Sequence, residues 1–203
     1  MIDARETAQF AESLAEDIAT AGYSIRAGFI DEEELAALRA ALLSLQAVGR
    51  FRPAGVGKSA EVCGTERSDR IAWLDPEHAS PGVSAVLARF EALRLVLNRR
   101  LFLGLFELEC HFAHYPPGAF YRRHLDQLRG DSRRALTCVL YLNDAWRAED
   151  GGALRIYLDL EGRALDVMPQ GGRLVCLLSD RFEHEVLPAQ RDRWSLTGWF
   201  RRR

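Results

Sequence analysis

The chain has 203 residues, 48% of them hydrophobic, and a formal net charge of -2. That is material for one domain, or one domain with a helical extension, and the near-neutral balance leaves no basic face for nucleic acid. No stretch reaches the roughly 18 to 20 apolar residues that span a bilayer, and the polar start does not read as a secretory signal, so a cytoplasmic protein is expected.

Phe10, Leu14 and Ile18 recur every four residues and form the apolar stripe of a first helix. A short strand is expected over 22–29. Asp31 then starts a second helix, with Glu34 as its capping-box partner and Leu35, Leu38, Leu42 and Leu45 as its buried face. Over 49–68 the chain turns to Gly, Pro, Arg and small residues without an apolar period, which marks a functional loop or lid. A third helix over about 82–100 carries Val83, Val86, Phe90, Leu93 and Leu97. Residues 1–100 therefore read as helical support with a lid, and 101–203 as a β core.

Beyond residue 102, short runs rich in Val, Leu, Ile, Phe and Tyr are separated by turn signals at Pro116-Pro117-Gly118, Gly130-Asp131, Asn143-Asp144, Asp150-Gly151-Gly152 and Gln170-Gly171-Gly172. About eight strands at this spacing predict a sandwich or jelly roll. The run Leu174 to Leu178 is apolar on both faces, so something other than water must cover one of them. The N-terminal helices are available to do so. Cys110, Cys138 and Cys176 sit inside such runs and read as buried reduced thiols, with neither a disulfide framework nor a zinc spacing.

In an extended segment His124 and Asp126 project to the same side while Leu125 faces away. Two histidines and one carboxylate on one face of an octahedral metal form the facial triad of non-haem iron(II) oxygenases. Of the five histidines, His184 follows an apolar run and opens the next strand, which makes it the third ligand by elimination; His111 and His114 have no partner spacing of their own. Arg193 comes nine residues later on the last strand, where Arg193, Ser195, Thr197 and Trp199 share a polar face and Trp194, Leu196 and Phe200 share the other. Thr137, Val139 and Tyr141 share a face expected to point inward. An arginine fork suits the far carboxylate of a dicarboxylate co-substrate whose other end chelates the metal.

The segment from about 71 to 200 resembles the prolyl hydroxylase group of 2-oxoglutarate dioxygenases, especially the hypoxia-inducible-factor prolyl hydroxylases and their bacterial relatives. The matching residues are Tyr115-Pro116, Tyr121 with His124-Leu125-Asp126, Thr137-Cys138 with Tyr141-Leu142-Asn143, Gly151 to Ile156, His184-Glu185-Val186, and Arg193 with Thr197 and Trp199. The resemblance implies a mainly β, cupin-like double-stranded β-helix with helices on the outer face of one sheet. It implies iron(II) as cofactor, 2-oxoglutarate and dioxygen as co-substrates, and ascorbate as an optional reductant. It implies that Tyr141, Arg193 and Thr197 bind the far carboxylate, with Tyr115 near the iron-bound end and Val139 and Leu154 packing on the co-substrate. Tyr121, Arg134 and Trp199 would meet the prime substrate at the mouth, under a lid formed by 49–68. The expected partner is a proline-bearing protein or peptide, with oxygen sensing as the associated role. A small-molecule or amino-acid hydroxylase of the same superfamily and a non-catalytic jelly-roll module are the rivals, and oligomeric state is not legible.

Overall fold

The computed structural model describes residues 4–55, 57, 61–127 and 132–203. Helix α1 (Ala4–Ala21) buries Leu14 and Ile18, as its four-residue spacing predicts. After the short strand β1 (Tyr23–Arg26), α2 (Glu32–Ala47) begins at Asp31. The Asp31 carboxylate accepts from the Glu34 N–H, and the Glu34 carboxylate accepts from the Asp31 N–H, so two amides without helical partners are satisfied reciprocally. Helix α3 (Pro81–Leu101) starts on a proline, whose missing N–H is harmless in a first turn.

Between and after the helices run β2 (Arg52–Pro53), β3 (Arg70–Trp73), β4 (Glu107–Tyr115), β5 (Tyr121–His124), β6 (Arg134–Tyr141), β7 (Leu154–Tyr157), β8 (Ala164–Val167), β9 (Leu174–Leu178), β10 (His184–Val186) and β11 (Arg193–Arg201). The strands from β4 onward match the number that the turn signals predict among the described residues. They form two antiparallel sheets, ordered β1-β9-β6-β11-β4-β3-β2 and β5-β10-β7-β8. Two facing sheets with helices on one outer side make the double-stranded β-helix layout.

Strand parity divides the core in two. Leu174 and Cys176 of β9 pack with Leu14, Leu38 and Phe90 of the helices, while Val175 and Leu177 face Leu154 and Ile156 across the gap between sheets. Likewise Leu196 and Phe200 of β11 turn to the helices, and Arg193, Ser195, Thr197 and Trp199 turn inward. Each fully buried Leu or Phe contributes roughly 1.5–3 kcal/mol, which explains why the helices stay on this face.

The 49–68 stretch differs from a plain loop: Phe51 and Ala54 are buried, and Arg52 and Pro53 pair with β3 at the sheet edge. Its residues 56 and 58–60, and the Gly130-Asp131 turn, lie outside the described residues. No helix among the described residues is long and apolar enough to cross a membrane.

Cys110, Gly198, Cys138 and Cys176 stand in register across β4, β11, β6 and β9. The cysteines are free thiols, with the sulfurs of Cys138 and Cys176 in contact at 3.3 Å. A Cβ added at Gly198 would lie 2.6 Å from the Cys110 Cβ and 2.7 Å from the Glu109 carbonyl oxygen, which β4 cannot move without breaking its ladder. Gly198→Ala is therefore expected to lower stability by about 1–3 kcal/mol in urea denaturation. A wild-type midpoint and slope would contradict this packing.

Candidate active site

Antiparallel pairing of β5 with β10 sets His184 directly opposite His124, and their rings lie 4.4 Å apart. Asp126, just past the end of β5, closes the group. Its Oδ1 is 3.5 Å from His124 Nε2 and its Oδ2 is 3.3 Å from His184 Nε2. One donor atom from each residue lies within 4.8 Å of the others. Donors sharing a face around bonds of about 2.1 Å stand roughly 3 Å apart, so little movement separates this arrangement from a metal-binding one.

The surroundings fix the donors. His124 Nδ1 faces the Arg122 carbonyl at 2.7 Å and His184 Nδ1 faces the Phe182 carbonyl at 3.2 Å. A proton on each Nδ1 satisfies those carbonyls and leaves each Nε2 lone pair pointing at the shared centre. Thr137 Oγ1 donates to Asp126 Oδ2 at 2.7 Å and contacts Ser179 Oγ at 2.9 Å. Burial opposes ionisation of Asp126, but the adjoining imidazoles, His184 foremost, hold its carboxyl well below the usual carboxylate range. Burial, reinforced by His184, pushes His124 down, whereas the Asp126 carboxylate raises His184 against the effect of its own burial. Two imidazole nitrogens and one carboxylate on a single face suit iron(II) and leave the opposite face open.

A second constellation lies at the other end of the inward face of β11. Arg193 is 1% exposed, and its Nε donates to the Gly152 carbonyl at 2.8 Å. Among the described residues no carboxylate pairs with it, and its Nη2 and the Tyr141 hydroxyl are both buried without a hydrogen-bond partner. The rings of Tyr115 and Tyr141 flank the guanidinium at 5.0 and 5.1 Å. Gly152 permits this approach: its φ is +69°, and a Cβ there would meet Ala189 at 2.8 Å and Arg193 Cδ at 3.2 Å. Burial raises the Tyr141 pKa, with the Arg193 charge opposing, so the hydroxyl remains a donor. A buried cation and two unspent donors form a receptor for an anion.

Val139, Leu154, Ser195 and Thr197 line the cavity joining the two ends, and the Thr197 hydroxyl lies 3.0 Å from that of Ser195. Tyr121 stacks on His124 at 3.5 Å. Trp199 does not stand open at the mouth: it is buried, with Arg134 lying 3.6 Å over its ring and paired with Glu109. Two polar cavity residues escaped the sequence reading. Arg67 stacks on Tyr121 at 4.1 Å and makes a two-point ion pair with Asp69. His111 is buried in the wall and could have been found by parity, since His111, Ala113 and Tyr115 alternate on one face of β4. His114 points the other way, stacking on Trp194 at 3.7 Å and bonding Asp192 at 2.6 Å.

Residues 110–201 match the 2OG-Fe(II) oxygenase superfamily. The fold matches that of a Pseudomonas putida prolyl-4-hydroxylase with a TM-score of 0.87 and 48% identity, covering 95% of this chain and 99% of that one. The chain belongs to the prolyl 4-hydroxylase group of the 2OG-Fe(II) oxygenase superfamily. A Trichoplax adhaerens prolyl hydroxylase, solved with a hypoxia-inducible-factor peptide fragment, has a TM-score of 0.89 at 26% identity, covering 97% of this chain and 91% of that one. Human prolyl hydroxylase EGLN3 is 35% identical over 142 residues, or 66% of this chain and 58% of that protein. The chain thus spans under two thirds of this curated relative, and about a third of human Egl nine homolog 1.

A buried arginine with no carboxylate partner among the described residues should gain stability from a bound anion. At about 100 times its Kd, 2-oxoglutarate is expected to stabilise the metal-loaded protein by about 2.7 kcal/mol, read as a rise in Tm. Arg193→Met should abolish most of that rise. An equal rise in the variant would discard the anion-receptor assignment.

Proposed function

We propose that the chain couples the oxidative decarboxylation of 2-oxoglutarate to the hydroxylation of a proline in a protein or peptide. One oxygen atom of dioxygen enters the proline C–H bond as a hydroxyl, and the other enters succinate as carbon dioxide leaves. The observation that carries this reading is a His-Asp-His group and a buried arginine with no carboxylate partner among the described residues, at opposite ends of one cavity.

In this reading His124, Asp126 and His184 hold the metal, and bound iron(II) supplies the dioxygen activation that C–H hydroxylation needs. Arg193 and Tyr141 receive the far carboxylate of 2-oxoglutarate, with Thr197 beside them and Tyr115 against the guanidinium. Val139 and Leu154 pack on its carbon chain and keep water out. Tyr121 keeps the His124 ring in its plane by stacking, and Trp199 and Arg134 form the wall next to the prime substrate. The peptide captured by the Trichoplax relative and the similarity to a prolyl-4-hydroxylase support a proline substrate. Ascorbate as a reductant that maintains ferrous iron, a cytoplasmic setting and a role in oxygen sensing extend the same reading.

Purified protein given iron(II), 2-oxoglutarate and a lysate should release succinate in an oxygen-dependent manner and add one oxygen to a proline in a lysate protein, detected by peptide mass spectrometry. Asp126→Ala should lose both signals while keeping its fold by circular dichroism. An oxidised free amino acid or metabolite as the only product would overturn the protein-substrate part, and wild-type turnover in Asp126→Ala would overturn the metal assignment.

A further inference from the structure

Four buried side-chain polar atoms among the described residues have no hydrogen-bond partner: Tyr141 Oη, Arg193 Nη2, His111 Nδ1 and Trp199 Nε1. They fall into two pairs. Tyr141 and Arg193 form the first, and the far carboxylate of 2-oxoglutarate accounts for both. His111 and Trp199 form the second, with ring centres 5.4 Å apart, and no group discussed so far claims them. The two pairs lie at opposite ends of the same inward face of β11, and His111 stands opposite Thr197 in register. Trp199 is opposite Thr137, the residue that donates to Asp126, so the second pair lies at the metal-binding end of the cavity. Trp73 adds a third ring, 4.8 Å from His111 and 6.4 Å from Trp199, and is half exposed, which places the cluster between the triad and solvent.

Leaving a buried polar atom unpaired costs about as much as a hydrogen bond is worth, so two of them in the wall of one cavity imply a ligand that supplies both partners. We propose that His111 and Trp199 together read the backbone N–H and carbonyl of the residue that follows the target proline. This deepens the prolyl hydroxylase reading and rests on it.

The chemistry selects that group. An indole N–H only donates, so the ligand must present an acceptor to Trp199. The His111 ring is kept neutral, its pKa pushed down to about 3 by burial first and then by the Arg67 and Arg134 charges. A neutral imidazole has one nitrogen free to accept. One acceptor and one donor on the same side are what a single residue of an extended peptide offers, since its own N–H and C=O project together. Proline itself has no N–H, because its ring nitrogen is fully substituted; the residue after it has both groups. The carbonyl of that next residue would therefore accept from Trp199 Nε1 and its N–H would donate to His111. A peptide meets that requirement and free proline does not, which makes His111 a determinant of substrate class.

The test uses protein loaded with zinc(II), which holds the metal position without turnover, and 2-oxoglutarate. The probes are acetyl-Ala-Pro-Ala-amide and its analogue in which the Pro–Ala amide is an ester. The readouts are the probe Kd and the indole 1H–15N resonance of Trp199, assigned with Trp199→Phe. The expected result is a saturable shift of that resonance, with the ester binding the wild type about ten-fold more weakly than the amide. His111→Leu should weaken amide binding by a similar factor and bind the two probes alike, and His111→Gln should recover part of the difference. Equal wild-type affinity for amide and ester, no shift of the Trp199 resonance, or unchanged amide affinity in His111→Leu would each overturn the proposal. The wild-type comparison needs no variant to fold. Titrating 2-oxoglutarate alone separates the two levels: if it fails to bind the metal-loaded wild type, the oxygenase reading falls; if it binds normally and the probes do not discriminate, only the His111 assignment falls.

Discussion

Burying the Asp126 carboxylate is the constraint on which the structure turns. A carboxylate taken out of water is costly unless it is paired and hydrogen-bonded; here the Thr137 hydroxyl donates to it, and the two imidazoles beside it converge with it on one centre. Each partner comes from a different strand: His124 closes β5, His184 opens β10, and Thr137 sits in β6. The group therefore exists only when both sheets are formed and facing, and β10 must pair with β5 in the one register that sets His184 opposite His124. A slip of one residue would turn His184 to the other face of its sheet.

The same logic extends along β11. This central strand of the larger sheet carries Arg193 at one end and Trp199 near the other, both inward, while Leu196 and Phe200 anchor it against the helices. The helical layer thus supports function indirectly, since it buries the outer face of the strand that spans the cavity. Around Arg193 the support is tighter still. Gly152 offers its carbonyl to the guanidinium, and the His114–Trp194 stack with the His114–Asp192 bond fixes the neighbouring residues on the reverse side. The cation is held in place by neutral groups, which leaves its charge to a ligand.

Much of this was legible in the sequence because period-two alternation and local capping are strong signals. The parity of 193–200 separated cavity residues from core residues correctly, and Asp31 with Glu34 announced the start of α2. The HxD spacing placed His124 and Asp126 together although the strand stops at His124. What escaped reading depends on contacts distant in sequence. Arg67 belongs to a stretch whose composition says only loop, and it reaches the cavity because its backbone bridges to Tyr121 and its side chain pairs with Asp69. His111 and His114 look equivalent in sequence; one strand position separates a residue facing the cavity from one stacked on Trp194, and only the packing of Trp73 and Trp199 around His111 shows why it matters.

If His124, Asp126 and His184 hold iron(II) and Arg193 holds the far carboxylate of 2-oxoglutarate, metal and co-substrate must meet in one cavity. Anaerobic addition of iron(II) and then 2-oxoglutarate, followed by visible absorption, tests this directly. The account predicts a charge-transfer band that saturates at one equivalent of each in the wild type and is missing in Asp126→Ala. A wild-type protein that binds iron without developing the band, or a variant that develops it undiminished, would contradict the account.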